Sequence, residues 1–269
     1  MESNEERAAP QDIPCNKNIY YANTLIKLNS FGYKKFNILG AIILKWFSLG
    51  YISFKNKKKG VFNKETSFIY LVKDVSINNK FEKKLFDLIR SFCIDGILSF
   101  SEFEKLIRSN YGLILEIFDS SLENEMMRLI DKNHIYNRTS IKECKKKNVM
   151  DNKLYNDSKK LYGLKKYLDE FLIEDVKEEI DVELLNNYLM FAYLFGIGDK
   201  FSNQLKKSLV LDKMNIDYGT IEFLHKISFR TVDSVEEIKN LNKKRTRVRK
   251  RSKKGSSGGR KTAALKEEK

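Results

Sequence analysis

Proline occurs only at Pro10 and Pro14, so nowhere beyond position 14 does a ring or a missing N–H bar a residue from a helix interior. With apolar residues recurring at three- and four-residue intervals, such a chain is constrained towards a mainly helical fold. Its 269 residues suffice for one large domain or two to three small ones. Apolar residues make up 42% of the chain, including eighteen Phe and thirteen Tyr, which is enough to fill a core along most of its length.

Residues 1–15 lack periodicity and read as an extended lead-in. Asn18–Leu28 places Ile19, Ala22, Leu25, Ile26 and Leu28 on a helical stripe, and Phe31-Gly32-Tyr33 ends it. A strongly apolar helix is expected from Asn37 to Leu49, stopped by Gly50. Tyr51-Ile52-Ser53-Phe54 then alternates as a strand does. Lys57-Lys58-Lys59-Gly60 makes a polar turn, and Ser67–Val72 is the β-rich return. Helix, helix, hairpin is the order of a winged-helix unit, assigned to 16–78.

The order nearly repeats over 79–137. Phe81–Phe92 is an amphipathic helix, and Ser101-Glu102-Phe103-Glu104 is a capping box opening a short one. Tyr111–Lys132 gives one long helix or two broken near Asp119, and His134-Ile135-Tyr136 a short edge strand. A Lys-rich linker spans 138–152, before a helical domain over 153–237. Its helices are Lys153–Phe171 and Asp181–Leu211, with a last one over Gly219–Ile227. Asp181 is an N-cap with Glu183 in the first turn, and Gly196 and Gly198 kink or interrupt that helix. Residues 238–269 turn basic, then Gly/Ser-rich, and no fixed structure is expected there. The fold class is therefore α+β, mainly α: two tandem winged-helix-like units, a C-terminal helical hairpin and a disordered basic tail.

The charge is segregated. Residues 241–269 hold thirteen Lys or Arg against two Glu, which is +11 of the chain's +15 and leaves +4 on residues 1–240. Cys15, Cys93 and Cys144 are odd in number and lack C-x-x-C spacing, so they read as reduced thiols in a cytosol. Zinc needs four ligands and the only other soft donors are His134 and His225, so no metal site is expected. The opening Met1-Glu2-Ser3-Asn4-Glu5-Glu6 is acidic where a signal peptide is basic. The longest apolar runs, Ile38–Leu44 and Leu189–Ile197, fall far short of the roughly 20 residues that cross a bilayer.

Two segments carry a resemblance. Leu164-Lys165-Lys166-Tyr167-Leu168-Asp169-Glu170-Phe171 is followed by Asn187-Tyr188-Leu189-Met190-Phe191-Ala192-Tyr193-Leu194-Phe195-Gly196-Ile197-Gly198-Asp199-Lys200-Phe201. In order and spacing the pair resembles segments of the YciQ-like family of predicted bacterial membrane proteins of unknown function. Ala8-Ala9-Pro10, the helix after it, Leu49-Gly50-Tyr51-Ile52 and the hairpin are similar to that family's first cytosolic unit. The basic, Gly/Ser-containing end is similar to its tails. The resemblance covers residues 8–210. Members usually carry a signal peptide, an extracytoplasmic β-rich domain and a membrane helix ahead of this region; the sequence departs from that pattern, so either a soluble fragment of a longer protein or a stand-alone relative is expected. The resemblance implies a cytoplasmic location, or the cytoplasmic face of the membrane for a longer anchored protein. It transfers no catalytic residue.

A winged helix invites a DNA-binding reading. Base readout needs polar side chains on an exposed face, and Asn37–Leu49 offers only Asn37, Lys45 and Ser48. The second unit mixes Lys105, Arg108 and Arg128 with Glu102, Glu104, Glu116, Glu123 and Glu125, which repel phosphate. Lys57, Lys58 and Lys59 at the hairpin, and Lys243, Lys244, Arg245, Arg247, Arg249, Lys250 and Arg251 in the tail, are the candidates for contact with an anionic surface. The tail has no interleaved aromatics, so base stacking is not suggested. Tyr167, Phe171, Tyr188, Phe191, Tyr193 and Phe195 are expected to form core or a partner interface. Gly196-Ile197-Gly198 follows no strand and is no phosphate loop. Glu174/Asp175 and Glu178/Glu179 lie in a polar connection that marks no acid–base pair.

The expected protein is a non-enzymatic cytosolic protein-interaction module with no catalytic residue, no cofactor and no small-molecule substrate. Its partners would be a protein and, through the tail, an anionic membrane surface or non-specific nucleic acid. The alternative is a winged-helix nucleic-acid-binding regulator.

Overall fold

The computed structural model describes residues 12–59, 64–132, 134–135, 150–171, 181–206 and 221. Eight α-helices and a three-stranded antiparallel sheet appear among them, a mainly α member of the α+β class. In chain order they are α1 (Ile19–Asn29), α2 (Asn37–Ser48), β1 (Ile52–Lys59), β2 (Lys64–Leu71), α3 (Lys80–Arg90), β3 (Ile97–Ser99), α4 (Phe100–Ser109), α5 (Tyr111–Asp131), α6 (Asn152–Glu170), α7 (Val182–Phe195) and α8 (Gly198–Leu205).

Short polar side chains start the helices. The Asn18 carboxamide oxygen accepts from the Tyr20 and Tyr21 amides at 3.0 and 3.1 Å, and Asn79 does the same for Phe81 and Glu82 at 2.9 and 3.1 Å. Asp151 accepts from Leu154 N–H at 2.7 Å, and Asp181 from Glu183 N–H at 3.1 Å. Each satisfies amides that the first helical turn leaves without an intrahelical acceptor. The capping box falls two residues earlier than the sequence suggested. Ser99, not Ser101, is the cap, accepting from Glu102 N–H at 3.4 Å while the Glu102 carboxylate accepts from Ser99 N–H at 2.7 Å. Both serines satisfy the same four-residue spacing, and pairing of β3 with β2 decides between them.

The lysine run is also placed differently from expectation. Lys57, Lys58 and Lys59 are not a turn: β1 continues through them, with Thr66, Glu65 and Lys64 opposite on β2. Of the expected edge strand at 134–136, Ile135 bridges to Met150 between α5 and α6, and Tyr136 lies outside the described residues. The helix capped by Asp181 is interrupted as the glycines implied. Gly196 takes the left-handed conformation at φ 77°, α7 ends there, and α8 starts at Gly198. Tyr111–Asp131 is a single helix. Ile221 is helical and buried. The rest of the expected Gly219–Ile227 helix, most of the linker, the 238–269 tail, Cys144, His225 and the acidic pairs at 174–179 lie outside the described residues.

The sheet runs β1-β2-β3, so its third strand comes from beyond residue 79 and pairs with the hairpin that precedes it. The core is continuous from α1 through α8. α2 is apolar on nearly all sides, and a helix of that kind must be covered on nearly all sides. α7, equally apolar, packs lengthwise on it, and Asn37 at the start of α2 donates to the Leu194 carbonyl at 3.2 Å. Glycine permits close approach both here, at Gly196, and where α7 turns into α8, at Gly198. A methyl group on Gly196 would stand 2.8 Å from Asn37 Nδ2, and one on Gly198 2.7 Å from the Tyr193 ring. No helix among the described residues is long and apolar enough to cross a membrane.

Candidate functional site

The aromatic residues singled out in the C-terminal helices are core. Phe171, Tyr188, Phe191, Tyr193 and Phe195 are buried, and Tyr167 is half-buried over them. Tyr167 and Tyr188 lie 5.6 Å apart between ring centres, and Phe171 and Phe201 4.9 Å apart, which fastens α6 to α7 and α8. Phe201, inside the resembling segment but not singled out, completes this cluster. Burial pushes the Tyr188 and Tyr193 phenols well above their ordinary range.

The face of α2 that would read DNA is occupied. Of its three polar side chains, Asn37 is buried on Leu194 and Lys45 pairs with Glu82, leaving Ser48 exposed. Lys57–Lys59 sit in β1, and Lys243–Arg251 lie outside the described residues.

Three polar clusters draw distant parts of the chain together. At the first, Glu82 on α3 is 2% exposed; one carboxylate oxygen pairs with Lys45 Nζ and the other accepts from Trp46 Nε1 at 3.0 Å. Tyr20 is close by, its buried hydroxyl without a hydrogen bond of good geometry. Burial and then the Glu82 charge push its phenol well above the ordinary range. Both carboxylate oxygens are committed, so the cluster clamps α3 to α2 rather than offering a base.

The second cluster begins in a turn, Pro14–Lys17, whose residues Cys15, Asn16 and Lys17 all have positive φ. Cys15 is buried, and desolvation followed by the charge of Asp157 pushes its thiol to about 12. Tyr21 Oη donates to Asp157 at 2.8 Å. Cys93, half-buried after α3, is pushed to about 11, mainly by burial. Neither thiol ionises appreciably near neutral pH, and it is the thiolate that is nucleophilic.

The third cluster joins the end of α5 to the start of α6. His134 Nδ1 lies 2.6 Å from Asp151 Oδ2, and the Asp151 amide donates to the His134 carbonyl at 3.1 Å. Burial pushes the Asp151 carboxyl up, but the Leu154 amide and the His134 ring outweigh it and hold the group below its ordinary value. Among the described residues no three or more His, Cys, Asp or Glu side chains group to hold a metal ion.

The feature that sequence reasoning missed lies at the end of the sheet where β1 and β3 begin and β2 ends. Leu49, Val72, Phe92 and Ile94 stand 52%, 45%, 38% and 72% exposed there. Their backbones are pinned. Tyr51 N–H donates to Trp46 O at 2.8 Å and Val72 N–H to Tyr51 O at 3.0 Å. Arg90 Nη2 donates to the Val72 and Lys73 carbonyls at 2.9 and 2.7 Å. Ile94 and Ile97 exchange two backbone hydrogen bonds around Asp95-Gly96, whose φ values of 51° and 76° make the tight turn that suits twisted strands. An Asp-Gly pair between isoleucines was the available signal for that turn. A single exposed apolar residue has no sequence signature, and only the topology gathers these four.

No family model, curated protein or solved structure matches the chain.

Proposed function

We propose that the protein is a non-enzymatic interaction module acting on the cytoplasmic side, of the kind implied by its resemblance to the intracellular region of YciQ-like membrane proteins. The observation that carries this reading is the rigid apolar rim of Leu49, Val72, Phe92 and Ile94. Solvent-facing apolar groups on a fixed backbone are a feature of surfaces that meet partners, since little ordering entropy remains to be lost on contact. The hairpin with β3 alongside it serves here as a winged-helix-like platform, and the buried aromatic helices α6–α8 brace it. The basic tail at 241–269 holds the module near an anionic surface, with Lys57–Lys59 in support.

The rival reading, a nucleic-acid-binding regulator, is disfavoured because α2 lies beneath α7 and has almost no polar side chain left to read bases. The test is chemical cross-linking of wild-type and Ile94→Asp protein in the native host. Loss of the cross-linked species in a variant with unchanged circular dichroism is expected. An identical cross-linking pattern refutes the rim as the working surface. A gel shift with tail-deleted protein addresses the rival: salt-sensitive binding that survives deletion of 241–269 favours it.

A further inference from the structure

We infer that the solvent-facing side of α6 is a stacking platform for single-stranded nucleic acid. The inference is independent of the rim and of the reading built on it.

Tyr155, Lys159, Tyr162 and Lys166 follow one another at four, three and four positions, which sets them in one row along a helix. All four are exposed, as are Lys160 and Gly163 beside them. The row faces water because the opposite side of the helix is spent: Leu154, Leu161, Leu164 and Leu168 are buried in the core. Phe31, half-buried after α1, packs on the Tyr162 ring at 5.1 Å between centres and braces it. A ring held in this way gives up little further freedom when another flat group stacks on it.

Charge narrows the choice of occupant. From Lys153 to Lys166 the helix carries five lysines and one acid, Asp157. That acid is committed elsewhere, accepting from Tyr21 Oη on α1 at 2.8 Å. Asp169 and Glu170 lie beyond the row, and Asp169 is paired with Lys200 at 3.0 Å. The row is therefore cationic between its rings, and its complement is a polyanion that also offers flat faces.

An anionic leaflet lacks those faces, and a helix that lies in a membrane surface sinks an apolar stripe into it, whereas the apolar stripe of α6 is already buried. A duplex keeps its base faces stacked on one another, about 3.4 Å apart along each strand, and leaves none for a tyrosine. A single strand supplies both parts. Tyr155 and Tyr162 stand about 10 Å apart along the helix axis, so a strand running beside it can stack a base on each ring while Lys159 and Lys166 meet the phosphates. Stacking of this kind tolerates any base and needs none of the base-edge readout that α2 is unable to give.

The experiment is fluorescence anisotropy of the full-length protein with a labelled oligonucleotide of about 12 nucleotides, single-stranded or annealed to its complement, from about 0.1 to about 0.4 M salt. The basic tail is the same in every variant, so the differences between variants report α6. Tyr155→Leu combined with Tyr162→Leu should weaken single-strand binding about tenfold or more and change duplex binding less than about twofold. Lys159→Gln with Lys166→Gln keeps both rings and should reduce the single-strand salt slope by about 1. Circular dichroism should be unchanged in both variants, since every altered side chain is exposed. Wild-type protein that binds no single strand overturns the inference, as does single-strand affinity indifferent to the tyrosine substitutions. An equal loss for strand and duplex also overturns it, because stacking reaches only unpaired bases. Unchanged single-strand affinity with lost binding to phosphatidylserine-containing vesicles assigns the face to a lipid surface and overturns it too.

Discussion

Replacing Glu82 with alanine tests the clamp between α2 and α3. The carboxylate is almost fully buried, and it provides the acceptor for the Trp46 indole N–H at 3.0 Å. Trp46 is itself buried against Phe86 at 5.0 Å between ring centres, so water cannot take over as acceptor. Leaving that N–H unpaired costs about 1–3 kcal/mol. Lys45 keeps 35% of its side chain exposed and turns to solvent, so its lost pairing adds under about 1 kcal/mol. The methylene packing removed adds about 1 kcal/mol. The sum is near 3 kcal/mol, a large share of the roughly 5–15 kcal/mol that stabilises an ordinary domain. Glu82→Gln keeps an oxygen for the indole and gives up only the charge, so it should cost about 1 kcal/mol. Trp46 is the only tryptophan in the chain, so urea unfolding can be followed by its fluorescence, with far-ultraviolet circular dichroism as a second probe. The alanine midpoint should fall about three times as far as the glutamine midpoint, with little change in the denaturant slope. If the two variants are equal, or if alanine costs less than about 0.5 kcal/mol, the argument from the stranded indole fails.

Two glycines should respond with opposite signs. Gly163 lies inside α6 with nothing within 4 Å of an added methyl, so Gly163→Ala should raise stability by about 0.5–1 kcal/mol, whereas Gly198→Ala should lower it by about 1–2 kcal/mol because the methyl meets the buried Tyr193 ring; thermal unfolding reads both. At neutral pH, Cys15 and Cys93 should alkylate far more slowly in the folded protein than in urea, as followed by site-resolved mass spectrometry. Asp151 is held below its ordinary pKa, so its contribution is present above about pH 4 and lost as pH falls through the lower folded value. Asp151→Asn keeps the helix cap but weakens the His134 contact, so it should cost under about 1 kcal/mol near neutrality, given solvent screening, and nothing in strong acid. Denaturation midpoints measured across pH check this sign.

Much of the local structure was legible because single residues dictate it. Asp181, Gly50 and Gly196 fix helix ends through hydrogen bonds or a positive φ that neighbours cannot supply. The all-round apolar surface of Asn37–Leu49 announced its burial, though not that α7 would provide the cover, with Leu194 standing 157 positions beyond Asn37. Long-range choices were not legible. The hairpin turn was drawn at the lysines because they are polar, yet the strand pairing runs through them. Two serines satisfied the capping-box spacing, and only a strand arriving from the other side of the sheet chose Ser99. Nothing in the amphipathic pattern of Phe81–Phe92 singles out Glu82, because Lys45 and Trp46 reach it only through the packing of α2 on α3.

The contact between α2 and α7 also sets an order of events during synthesis. A nascent chain that has reached α5 has already made its greasiest early helix but none of the helix that shelters it. Completion of the amino-terminal core must wait for Phe195 to emerge, and until then α2 is a ready target for a chaperone or for a neighbouring unfinished chain. Fragments cut anywhere upstream of α7 inherit that vulnerability permanently.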